Sequence, residues 1–179
     1  MQAATSRAGG PPGRRMTTKR RAYEAGHQAK YLVVIDESPE CDRAVYWGSR
    51  RAARNGASML MLLVIEPHDR HQQWLGVADI MKAEAHEAAN AILDRFAVRA
   101  NGVAAITPER AIREGDKAEE ILKLIEEDED IAILVLAAGT GKEGPGPLVT
   151  DLSSTAGTFP IPVAIVPGHL SDEELDGLS

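Results

Sequence analysis

The sequence predicts a doubly wound α/β domain built on a five-stranded parallel sheet, and three observations carry that prediction. Short apolar runs without alternation, such as Ile131 to Ala138, stop abruptly at glycine-rich or acidic turns. Such a run suits a strand buried on both faces. Between the runs lie stretches with apolar residues at helical spacing, which gives the order β-α-β-α-β-α-β-α-β. The chain is 44% hydrophobic but only 4% aromatic, so its core is made of Ala, Val, Ile and Leu, which favours close packing of helices on a sheet. Together these define a flavodoxin/Rossmann-like α/β fold with helices on both faces.

At 179 residues the chain is long enough for one domain with a substantial core. Charge is placed unevenly. Residues 1–30 hold seven Lys or Arg against Glu24 alone, a net +6, which leaves about −13 of the stated −7 for residues 31–179. Residues 1–29 also carry Gly9-Gly10-Pro11-Pro12-Gly13 and no apolar periodicity, so they are expected to form a disordered basic arm. On that reading a chain beginning at Lys30 keeps the full melting temperature. Arg14-Arg15 lacks the apolar stretch that an export signal needs, and Met16 offers a second start of translation. The acidic body argues against a nucleic-acid-binding core. A single cysteine, Cys41, excludes an internal disulfide and fits a reducing cytoplasm. No apolar run approaches the roughly 18 residues of a membrane span.

Taken in order, Tyr31-Leu32-Val33-Val34-Ile35-Asp36 reads as the first strand, closed by a carboxylate. Ser38 before Pro39 reads as a helix N-cap, and Cys41, Ala44, Val45, Gly48 and Ala52 as the apolar face up to Asn55-Gly56. Ala57 to Ile65 is the second strand, which completes a right-handed βαβ unit. Met81, Ala85, Ala88, Ile92 and Phe96 mark a long helix ending near Asn101-Gly102. Ala104 to Arg113 is a weaker third strand, and Asp116 with Glu119 opens the next helix. The acidic run Glu126 to Asp130 opposes the negative end of that helix and is expected to fray. After the fourth strand, Pro147 to Thr158 reads as a short helix. Ile161 to Pro167 reads as a last strand, whose bracketing prolines place it at a sheet edge. Residues 169–179 form a short C-terminal helix and tail, with Ser171 to Glu174 as its capping box.

The loop after the fourth strand carries Gly139, Gly141, Lys142, Gly144 and Gly146, at the place where open α/β sheets hold their ligands. Glycines let backbone amides converge on an anion and Lys142 adds a point charge; a plain strand-to-helix connection is the competing reading. The P-loop pattern fails, with Leu136 at the first glycine and Glu143 at the metal-binding hydroxyl. Asp36 either contacts a ribose, base or cation or caps its own turn. His68, Asp69 and His71 share one loop and lack a fourth ligand in reach, so no metal is expected. Cys41 reads as packing, and no catalytic set is found.

These pieces in this order resemble the universal stress protein family. The resemblance spans about Lys30 to Pro167 (residues 30–168 as a domain). It rests on Val33 to Ser38, on Asn55-Gly56-Ala57 leading into Met61 to Pro67, on Glu114 to Leu122 and on Ile161 to Pro167. It implies a homodimer paired through the last strand, a non-enzymatic role in stress response or regulation, and for one branch ATP binding through G-x2-G-x9-G-[ST]. This chain departs from that pattern. In the strand register Ala137 and Thr140 take the first two glycines. In the loop register Gly141 and Gly144 fit, but Ser154 takes the last. Counted back from Pro162-Val163, Val149-Thr150 take the final pair. A Cβ hinders close backbone approach to phosphate. Asp36 matches the family's first-strand carboxylate, and Val64 the residue whose backbone meets adenine. The resemblance thus implies weak binding of ATP or AMP through a rebuilt loop that includes Thr150. The alternative is a receiver-type phosphoacceptor domain with Asp36-Glu37 as its acidic pair. That reading needs an aspartate where Arg113-Glu114-Gly115 stand and a lysine where Pro167-Gly168 stand.

Overall fold

The computed structural model describes residues 18–67 and 77–179. The loop residues His68, Asp69 and His71, where no metal is expected, and residues 1–17 of the arm lie outside the described residues. Strands β1 (Lys30–Ile35), β2 (Ser58–Ile65), β3 (Glu109–Glu114), β4 (Ile131–Ala138) and β5 (Val163–Pro167) alternate with helices α1 (Cys41–Arg54), α2 (Val77–Ala104), α3 (Lys117–Glu127), α4 (Pro147–Thr155) and α5 (Asp172–Leu178). All neighbouring strands pair in parallel, in the order β3-β2-β1-β4-β5. The chain winds one way from β1 to β3, then returns to the other side of β1 for β4 and β5. The switch point is the crevice between β1 and β4. A phosphoacceptor sheet runs 2-1-3-4-5, so topology removes the support for that alternative.

Strand periodicity divides the core in two. Val33, Ile35, Met59, Met61 and Leu63 face α1 and α2 with Leu93, Phe96 and Ala100. Leu32, Val34, Leu60, Leu62 and Val64 face the other way, against Ile121 and Ile125 of α3 and Val149 and Leu152 of α4. Successive residues of a strand point to opposite faces, and here both faces are covered. That is why the strands read as continuous apolar runs.

Several local expectations shift. The cap of α1 is Glu40, and Ser38 instead donates both its backbone N–H and its hydroxyl to Asp36 Oδ1, at 2.9 and 2.6 Å. The α2 stripe keeps the expected Phe96, with Ile92 packed at its side, but its other buried residues are Ala89, Leu93 and Ala100, while Met81 is exposed. Gly102 does not end that helix. Its left-handed residue is Ala105 (φ 54°), whose N–H reaches Asn101 O at 2.8 Å, so the third strand starts only at Glu109. α4 ends at Thr155, and a 3-10 turn covers Ala156–Thr158. The caps at Asp116 and Ser171 form as the sequence indicates, Ser171 with its full box.

The largest correction concerns residues 18–29, which are packed rather than disordered. Ala22 and Ala29 are buried with Tyr31, Ala52 and Ala57. The physical reason is charge complementarity with the acidic end of α3. Arg20 donates to the carbonyl oxygens of Ile125 and of Asp128, the latter at 2.9 Å. Arg21 pairs with Glu129 at 3.4 Å, His27 contacts Asp130 at 2.6 Å and Lys30 bonds Asp128 at 2.9 Å. Burial alone would lower the Lys30 ammonium pKa, but its hydrogen bonds to Asp128 and Glu109 outweigh that and raise it. The last carbonyls of α3, left unpaired by helix geometry, thereby gain a guanidinium donor at the end where cations are favoured. The acidic run therefore does not fray.

Candidate functional site

The crevice at the carboxyl ends of β1 and β4 collects most of the expected residues. Asp36 follows directly on β1. Its Oδ1 holds the turn through Ser38, while Oδ2 has no partner among the described residues. The turn-capping reading of Asp36 is the one seen here, through one oxygen. Val64 lies one residue past the end of the β1–β2 ladder at Ile35–Leu63, with its side chain in the core. Its backbone lies near the carboxyl end of β2, paired with Arg113 of β3.

The β4 loop closes on itself. Gly139 N–H donates to Pro145 O at 3.2 Å, and Gly144 N–H to Gly141 O at 3.1 Å. Gly144 (φ +85°) and Gly146 (φ +99°) take backbone conformations that a Cβ would strain, which explains glycine at those two positions. Gly146 also caps α4, whose first residue is Pro147. Lys142 is exposed at the loop tip. Thr150 is not brought into the loop. It sits one turn into α4, with its hydroxyl donating back to Gly146 O at 2.9 Å.

Sequence reasoning missed Glu40, whose side chain enters the crevice from the N-terminus of α1 and lies against Gly139 and Gly168. Cys41 beside it is 1% exposed, and burial pushes its thiol up to about 12. A thiol so far from ionising is no nucleophile at neutral pH. Among the described residues no cluster of His, Cys, Asp or Glu is arranged to hold a metal, and no helix is long and apolar enough to cross a membrane.

A doubly wound parallel sheet with a glycine loop at its switch point defines a crevice-binding α/β domain. The sequence model of the universal stress protein family matches residues 29–167, and the chain belongs to that family. Solved structures share the fold. The universal stress protein UspA from Lactobacillus plantarum superposes with a TM-score of 0.63 at 20% identity, covering 77% of this chain and 97% of its own. A universal stress protein in complex with cAMP gives 0.57 at 21%, covering 77% and 96%. A universal stress protein family protein from Arabidopsis thaliana with AMP bound gives 0.52 at 20%, covering 81% and 94%. No curated protein matches the chain significantly.

Proposed function

We propose that the chain is a non-enzymatic stress-response module that takes an adenine nucleoside or nucleotide weakly in the β1–β4 crevice. The observation that supports this reading is that Asp36, Val64 and the glycine loop stand at the carboxyl ends of three strands, β1, β2 and β4, that are neighbours in the sheet. The cAMP and AMP complexes of proteins with this fold support the ligand class. The loop's departures from the ATP-binding pattern support weakness. Each lost charge-assisted hydrogen bond to phosphate is worth about 1.5–3 kcal/mol, so two cost roughly 10²–10⁴ in affinity. Calorimetry with ATP, AMP and adenosine on nucleotide-stripped protein tests it. Lys142→Ala weakens ATP more than adenosine, and Asp36→Ala weakens both. Tight, magnesium-dependent ATP binding in the low-micromolar range, indifferent to Lys142→Ala, would overturn the account. Its single buried thiol suits the cytoplasm.

The same reading makes the protein a homodimer through β5. That strand is a sheet edge, and Ile165 on it is 45% exposed. An unprotected apolar edge invites association, which a two-fold contact with a second copy resolves. Light scattering at micromolar concentration gives a dimer, and Ile165→Lys gives a monomer with an unchanged far-UV spectrum. A monomeric native protein would rule the pairing out.

A further inference from the structure

Two neighbouring glycines, Gly139 after β4 and Gly168 after β5, lie against one of the protein's own side chains. A Cβ built on Gly139 would stand 2.8 Å from Glu40 Oε1, and one built on Gly168 would stand 2.8 Å from Glu40 Cβ and from Ala138 O. Real Cβ atoms do not come so close, so Glu40 as placed fills the space beside Gly139, while at Gly168 the Ala138 carbonyl excludes a Cβ as well. Gly168 N–H is spent on Ala138 O at 2.9 Å, and Gly139 N–H on Pro145 O. Neither amide is aimed at an incoming anion. The carboxylate itself makes no capping hydrogen bond to α1. Arg99 of α2 is held by Asp42 at 2.8 Å and Arg43 of α1 by Asp172 at 2.7 Å. Glu40 is therefore a negative charge without a cation partner among the described residues. It stands between a helix N-terminus and a glycine loop, the two features that elsewhere receive phosphate.

We propose that Glu40 sets the ligand class of the crevice by filling its anion subsite, so that it accepts an uncharged adenine nucleoside and turns away the 5′-phosphorylated forms. This rests on the adenine reading above and deepens it. A phosphate entering the loop meets a like charge at close range in a partly desolvated site, where repulsion is screened far less than in water. Adenosine brings no such charge.

The test is calorimetry of adenosine and AMP, without divalent cations, on the native protein, Glu40→Gln and Glu40→Ala. The native protein binds adenosine at least about tenfold more tightly than AMP, a difference of about 1.4 kcal/mol. Glu40→Gln, which keeps the shape and removes the charge, raises AMP affinity about tenfold or more and leaves adenosine within about twofold. Glu40→Ala moves AMP in the same direction, and melting curves show that both variants are folded. If adenosine binds but AMP affinity is the same in all three proteins, Glu40 does not select the ligand and the inference falls alone. If adenosine binds none of them, the adenine reading falls and the inference with it.

Discussion

A chain beginning at Lys30 is expected to melt about 5–10 °C below the full chain. Of the 29 residues it lacks, 18–29 bury Ala22 and Ala29 and supply the Arg20 guanidinium to two carbonyls at the end of α3. Hydrogen bonds to charged groups are worth about 1.5–3 kcal/mol each. The exposed Arg21–Glu129 pair adds little. A net loss near 2–3 kcal/mol corresponds to that shift in a domain of this size, at about 2–4 °C per kcal/mol. Arg20→Ala alone reproduces about half of it, because it strands the carbonyls of Ile125 and Asp128. Scanning calorimetry decides the matter. An unchanged melting temperature would mean that residues 18–29 rest on the surface without holding it.

Leu175→Ala is expected to cost about 2–5 kcal/mol, the range for a buried leucine that leaves a cavity. Leu175 is 1% exposed and is the one buried anchor of α5. Around it Tyr46 Oη donates to Asp176 at 3.1 Å, and Arg43 and Arg99 hold Asp172. Burial pushes the Asp42 carboxyl up, but hydrogen bonds and charge from Arg99 and Arg43 outweigh it and hold it below the usual range. Burial likewise pushes the Asp172 carboxyl up, and hydrogen bonds and charge from Arg43 and Arg99 outweigh it and lower it. A carboxyl depressed in the folded state contributes stability that is complete above its unfolded pKa of about 3.9. That stability is lost as pH falls through the folded value. Docking of α5 therefore holds unchanged from neutral pH to about pH 4.5 and weakens below about pH 4. Denaturant melts of native protein and Leu175→Ala from pH 7 to pH 3 read both effects. A midpoint shift under 0.5 kcal/mol for the variant would show that α5 does not share the core.

The sheet was legible because its strands are buried on both faces, so that Leu32 to Ile35, Met59 to Val64 and Leu134 to Leu136 announce themselves without reference to anything distant. The edge position of β5 was legible from Pro162 and Pro167, which cannot donate to a ladder. Residues 18–29 were not, because their order depends on Asp128, Glu129 and Asp130 about a hundred positions away, and composition alone reads the segment as a solvated arm. In the site, Asp36 and the loop glycines could be placed from strand ends and spacing. Glu40 could not, since nothing local shows that Gly139 and Gly168, about a hundred positions away or more, both lie against its side chain. Thr150 was drawn in by counting along the chain, whereas helix geometry turns its hydroxyl back onto Gly146.

The central place of β1 has a kinetic consequence. It pairs with β2 almost at once but with β4 only after Ile131 has been made, 66 residues beyond the end of β2 at Ile65. At roughly 5–20 residues per second, a growing chain carries a half-finished sheet with one bare edge for about 3–13 s. Closing so long a loop must also be paid for before the β1–β4 contacts return anything, which slows refolding. The cell meets this protein first as an open edge along Tyr31 to Val33, and its yield at high expression should depend on how well that edge is guarded until β4 arrives.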